Sequence, residues 1–215
     1  MIARRTGALS GAVAVVLFAC GLLFGDLLGS SNYPPLNASA RRVHAYFSSN
    51  AGDVRLLALF HTLAALCLLT FGACLHRRLR QREPDGPHAA AALAGTSAAA
   101  IFLLVSALCY RTLVERSVLA DAGLAHALVV LSYLAGGPGI AVPLALSAVA
   151  GLALGTGRAL RALAVVAAVF CVASAASVPG PMNNSSAAYG ILLGAAVLGF
   201  AWVFLVSLWL AFARR

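Results

Sequence analysis

Two apolar runs, Val54–Leu75 and Ala89–Tyr110, stand on either side of one short polar segment, His76–His88. Each is about 22 residues long, and a helix rising about 1.5 Å per residue crosses the ~30 Å hydrocarbon core of a bilayer in that length. The segment between them, His76-Arg77-Arg78-Leu79-Arg80-Gln81-Arg82-Glu83-Pro84-Asp85-Gly86-Pro87-His88, is the most polar in the chain. Arginines at span ends are retained on the cytoplasmic side. Arg77, Arg78, Arg80 and Arg82 are therefore read as topology and lipid-headgroup residues, and the other spans follow from them by alternation.

The rest of the composition agrees. The 215 residues are 62% hydrophobic and only 10% charged, against about 25% charged in a soluble domain. Most of the surface must face something other than water, and a bilayer is the simplest such solvent. The net charge of +9 comes from arginine alone, lysine being absent. So basic a chain raises nucleic-acid binding, but the arginines sit in pairs at span ends, where anionic headgroups account for them. No nucleic-acid partner is expected. The five cysteines, Cys20, Cys67, Cys74, Cys109 and Cys171, lie in apolar runs without a Cys-x-x-Cys, so neither a disulfide framework nor a zinc site is expected.

Taken in order, the chain reads as a single integral membrane domain, 1–215, of six transmembrane helices. The spans fall at about 6–29, 54–75, 89–110, 124–149, 160–178 and 189–211, with an outer loop at 30–53 and the inner arginine loop at 76–88. Arg4-Arg5 and the run after them resemble a signal peptide, but the run continues past Cys20 through Phe24, so Thr6–Gly29 is read as an uncleaved first span. Gly7 and Gly11, and then Gly21, Gly25 and Gly29, recur every fourth residue, a spacing that lets another helix approach closely. Gly190 and Gly194 do the same in the sixth span. Such faces suit packing within the chain, or a protein partner or homo-oligomer. In the outer loop, Ala38–Asn50 fits a short amphipathic helix lying on the membrane, Val43, Tyr46 and Phe47 on one side and Arg41, Arg42 and His44 elsewhere. The fourth span is interrupted: Gly136, Gly137, Pro138, Gly139 and Pro143 deny it a straight helix.

Orientation follows from the arginines. Arg4, Arg5, Arg77, Arg78, Arg80, Arg82, Arg158, Arg161, Arg214 and Arg215 fall in inner segments; Arg41, Arg42, Arg55, Arg111 and Arg116 fall in outer ones. The bias favours both termini in the cytoplasm, and the plasma membrane is the expected location.

The order of these features is itself familiar. Ala45-Tyr46-Phe47-Ser48-Ser49-Asn50 precedes the second span, Arg77-Arg78-Leu79-Arg80 ends it, a proline-interrupted fourth span follows, and Gly157-Arg158 marks the next inner turn. Over most of its length the chain resembles a broad group of uncharacterised multi-pass membrane proteins of actinobacteria. In that group a tryptophan-rich turn often leads into the fifth span, whereas Arg158-Ala159-Leu160-Arg161-Ala162-Leu163 has none. The resemblance implies topology and nothing about chemistry.

Ionisable groups within a membrane are the natural functional candidates, because burying them costs free energy. Asp26, His61 and His126 fall at similar depth in the outer leaflet. If their helices neighbour one another, a carboxylate and two imidazoles form a polar cluster able to bind a divalent metal or relay protons, and two histidines would suit a haem iron. The simpler alternative has Asp26 reaching the interface, His126 among headgroups and His61 bonded to a carbonyl. Gly136–Pro143 is the second candidate, since broken helices expose backbone groups to substrate in transporters; a packing kink is its plainer explanation. No nucleophile elbow, phosphate loop or His-Glu-x-x-His is present, so no catalytic residue and no cofactor are assigned. Serines within spans, Ser106, Ser132, Ser147, Ser174 and Ser177, suit cross-helix hydrogen bonds. The leading expectation is a non-enzymatic accessory or packing subunit of a membrane assembly. A small transporter or channel is the alternative, and a membrane metal or redox protein the third.

Overall fold

The computed structural model describes residues 2–23, 33–35, 37–177 and 187–212. Asp26, Gly25, Gly29 and the carboxy-terminal Arg214-Arg215 lie outside them. The described residues form nine α-helices: α1 (Ile2–Leu22), α2 (Ala40–Ser49), α3 (Ala51–Arg80), α4 (His88–Leu113), α5 (Arg116–Ala120), α6 (Ala122–Gly136), α7 (Pro138–Gly151), α8 (Arg158–Ala173) and α9 (Ala187–Phe212). No strand occurs among them. Among the described residues, four stretches are long and apolar enough to cross a membrane: Ala51–Arg80, His88–Leu113, Ala122–Leu154 and Gly194–Phe212. The fold is thus the all-α architecture of a multi-pass membrane protein. The predicted fifth span corresponds to the shorter, 16-residue α8, and the apolar Thr6–Leu22 within α1 falls in the predicted first span, part of which lies outside the described residues.

Six helices close a ring. α1 packs on α3, α3 on α4, α4 on α7, α7 on α8, α8 on α9, and α9 returns to α1. One cluster of buried residues draws on all six, among them Ala14, Leu68, Phe71, Leu103, Leu144, Ala167 and Trp202. Large apolar side chains on the opposite faces stay exposed, such as Leu59, Leu108, Val169 and Val197, as a lipid-facing surface requires.

Small residues set the spacing inside the ring. A methyl group on Gly95 of α4 would stand 2.5 Å from the Pro143 carbonyl of α7, and one on Gly11 of α1 would stand 2.6 Å from the Phe71 ring of α3. Polar side chains then bond across the gaps. Ser147 of α7 donates to the Ala92 carbonyl of α4 at 3.3 Å, and Ser106 of α4 to the Ser132 carbonyl of α6 at 2.9 Å. Ser207 of α9 donates to the Ala8 carbonyl of α1 and accepts from the Ala12 amide. Ser132 also donates within α6, to Val129, and Ser174, capping the end of α8, donates to Cys171.

The arginine segment is only partly a loop. α3 continues through Arg77, Arg78 and Arg80, which place cations at a helix C-terminus, the negative end of its dipole. Pro84 and Pro87 then bar the helix from continuing. His76 bonds the Ala89 carbonyl at 2.9 Å, tying α3 to the start of α4, and His88 pairs with Glu83 at 2.7 Å. Arg82 reaches Gly155, which has the one positive φ, +64°, among the described residues and ends the turn after α7.

The fourth span breaks where glycine and proline predict. The backbone leaves the helical region at Gly137, and Pro138 opens α7 as its first residue. α7 stays in the ring, while α6 continues along the flank of α4 towards α2. Pro143 has no N–H to give the Gly139 carbonyl, yet α7 carries through it.

One expectation is corrected. The amphipathic helix predicted in the 30–53 loop is present as α2, with the predicted face buried, but that face meets protein. Val43, Tyr46 and Phe47 pack with Val54, Leu113, Val114, Leu119, Ala125 and Val129 in a second core at the end opposite the arginine segment. The aromatic pattern that suits a membrane interface suits the ends of α3, α4 and α6 equally well.

Gly95→Ala should lower the apparent unfolding midpoint in detergent, by an amount in the range of about 1–3 kcal/mol that overpacking costs. Gly52→Ala, with open space around it, should match the wild type or exceed it slightly. Equal midpoints for the two variants would refute the close-packing account.

Candidate functional site: His61 in an aromatic column

His61 projects from α3 towards the place where α1 ends. It is 2% exposed, and its ring stacks on Phe18 of α1 at 4.9 Å between centroids and 13° between planes. Gly21, one turn further along α1, permits the fit, because a methyl group there would stand 2.9 Å from the imidazole Cδ2. Neither ring nitrogen has a hydrogen-bond partner among the described residues. A buried polar group left unbonded costs about 1–3 kcal/mol, so this position carries a histidine against the interest of stability.

The imidazole is one member of a column of rings. Phe18 also stacks on Phe200 of α9 at 4.2 Å. On its other side His61 meets Tyr110 of α4 edge-on at 6.2 Å. Tyr110 faces Tyr33 at 6.3 Å, and Tyr33 contacts Tyr46 and Phe47 of α2 at 5.3 and 6.1 Å. The column joins the core of the ring to the second core beneath α2. Burial, then the neighbouring Tyr110, holds the Tyr33 hydroxyl well above the usual tyrosine pKa, so it stays protonated. Tyr33 and Tyr110 were absent from the sequence-predicted site. Nothing in their spacing from His61 marks the contact.

The other predicted residues are placed differently. His126 is exposed on α6, a helix that packs on α4, α2, α5 and α7. It is not drawn to His61, since α6 flanks α4 rather than entering the ring. Asp26 is outside the described residues, four positions beyond the end of α1. Among the described residues no group of three or more His, Cys, Asp or Glu is placed to hold a metal. Gly136 lies against Ser106 and Gly139 against Phe102, both of α4, so this side of the helix break is packed by protein. Gly7, Gly11 and Gly21 turn inward, against Cys74, Phe71 and His61. The glycine face of α1 is spent within the chain over those residues.

No family model, curated protein or solved structure matches this chain.

His61→Phe should keep the stack on Phe18 while removing both unbonded nitrogens, and should raise the unfolding midpoint. His61→Ala should lower it, by the few kcal/mol typical of a large buried side chain replaced by a cavity. A fall with phenylalanine as well would mean that the imidazole holds a hydrogen-bond partner.

Proposed function

We propose that this chain is a non-enzymatic, multi-pass component of a membrane assembly, acting by contact with a partner. The observation that carries this reading is the filled ring. Alanine, glycine and serine bring α1, α3, α4, α7 and α9 into direct contact, and the buried residues between them form one continuous apolar cluster. Such an interior suits a packing element. The inward turn of Gly7, Gly11 and Gly21 shifts the partner-facing surface away from α1, towards the outward faces of the bundle and the end built from α2, α5 and the start of α6.

In the same reading the chain crosses the plasma membrane six times, α1 and α8 serving as the first and fifth spans and both termini lying in the cytoplasm. The excess of arginine in the segments on that side supports it. A single cysteine placed at Asp85, in a background without the five native cysteines, should react with an impermeant thiol reagent only after the cells are opened. Labelling of intact cells would invert the topology.

Native mass spectrometry of gently extracted protein should show one specific partner at fixed stoichiometry. A bare monomer would sink the accessory role.

A second reading, a small ion or solute carrier, is favoured by His61 and by the backbone break at Gly137. Its test is proton flux into vesicles bearing the purified protein, followed with a trapped pH-sensitive dye. A flux lost with His61→Ala and kept with Arg41→Gln supports it, and a flux indifferent to His61 ends it.

A further inference from the structure

A cleft of about 600 Å³ opens at the α2 end of the molecule, where the end of α2, the start of α3 and the link from α4 to α5 meet. That is the size of a site for a small ligand or a headgroup. Its floor is apolar, from Phe47, Val114 and Leu119, all buried. Its rim is polar: Arg55 from α3 and Arg116 from α5, with Ser48 and Ser117.

The charge at this rim does not cancel. Glu115 is the one carboxylate among the lining residues, and it is engaged by Arg111, one turn back in the chain. That pairing, with help from Arg55, holds the Glu115 carboxyl below its usual pKa, so it is ionised at neutral pH. Arg55 and Arg111 act on this single negative charge and Arg116 lines the same cleft, so three cations stand against one carboxylate. The other carboxylates at this end are turned to different tasks. Asp121 caps α6 by accepting from the Leu124 amide at 3.0 Å. Asp53 stands two residues before Arg55, about 200° round the helix.

Depth gives the occupant its second property. One turn into α3 from Arg55, Leu59 is 51% exposed, and one turn into α4 from Arg111, Leu108 is 64% exposed. Helices α3 and α4 pack on each other, so an apolar outer surface lies directly below a cationic, hydroxyl-bearing rim. A ligand matching both would carry a phosphate with an acyl chain attached below it.

We propose that this cleft seats the headgroup of an anionic phospholipid, its phosphodiester held by Arg55 and Arg116 and its chains lying along the outward faces of α3 and α4. Guanidinium groups bind phosphate oxygens through paired, charge-assisted hydrogen bonds. The site is independent of whether the protein serves as an accessory subunit or a carrier.

The full-length protein should be reconstituted in vesicles of equal phosphatidylglycerol and phosphatidylcholine, extracted in mild detergent, and its retained lipids counted by native mass spectrometry. One phosphatidylglycerol should remain on the wild type. Arg55→Gln with Arg116→Gln should reduce that occupancy by more than about tenfold, since a single lost charged contact already accounts for roughly a factor of ten. Arg41→Gln with Arg42→Gln, exposed on α2 and outside the cleft, should leave it unchanged. Glu115→Gln removes the competing carboxylate and should gain occupancy over the wild type at phosphatidylglycerol fractions low enough to leave the wild-type site part-filled, which keeps the test decisive should the double arginine variant fail to fold by circular dichroism. Undiminished retention in that double variant, an equal loss with Arg41 and Arg42 replaced, or no gain with Glu115→Gln would each overturn the proposal. Inorganic phosphate, titrated against protein in phosphatidylcholine alone, separates the sources. Phosphate filling the site as readily as the lipid would overturn the lipid assignment in favour of a soluble anion.

Discussion

In hydrocarbon a backbone group has no water to fall back on, and apolar helices gain nothing by leaving lipid for each other. Helix association must then come from close contact and from the few polar side chains able to bond across it. In this bundle both are supplied by residues of little bulk. Gly95 admits the Pro143 carbonyl, and the serines at positions 106, 147 and 207 reach carbonyls on the neighbouring helix. Each contact is worth little, about 0.6 kcal/mol for a typical hydrogen bond between membrane helices. The ring holds because such contacts recur at successive crossings, and because substituting a larger residue at any of them pushes two helices apart along their length.

The same constraint explains how much of the fold was legible beforehand. Spans are written in apolar length, and the helices start and stop near the predicted bounds wherever proline, glycine or a cluster of charge intervenes. Pro84 and Pro87 end one span before the next begins, and Gly137-Pro138 divides another. Neighbour relations are not written in length. Alternation puts His61 and His126 at the same depth, but depth says nothing of azimuth. α6 departs from the ring at Gly137 and carries His126 to an exposed flank of α4. Amphipathicity is likewise blind to what covers an apolar face. The pattern of α2 reports that Val43, Tyr46 and Phe47 are buried, and only the meeting of α3, α4 and α6 at that end reveals that protein does the burying.

The two ends of the molecule divide the polar work between them. At one, arginines complete a helix terminus and brace the turn after α7 through Gly155, a structural use of charge. At the other, α2 covers a second core, the aromatic column reaches it from the ring, and a cleft opens beside Arg55. His61 stands where the ring and the column meet, stacked on Phe18 and edge-on to Tyr110.

The hydrogen bonds from Ser207 join the last helix to the first, across nearly the whole length of the chain. Synthesis delivers those two helices at opposite ends of the time course. In the six-span reading proposed above, α1 meets α3 early, but its other flank waits until α9 is made. Of the six contacts that close the ring, the seam between α1 and α9 is thus the one that waits for α9, and a bundle lacking that helix would be open-sided, with a groove on α1 shaped to receive a helix.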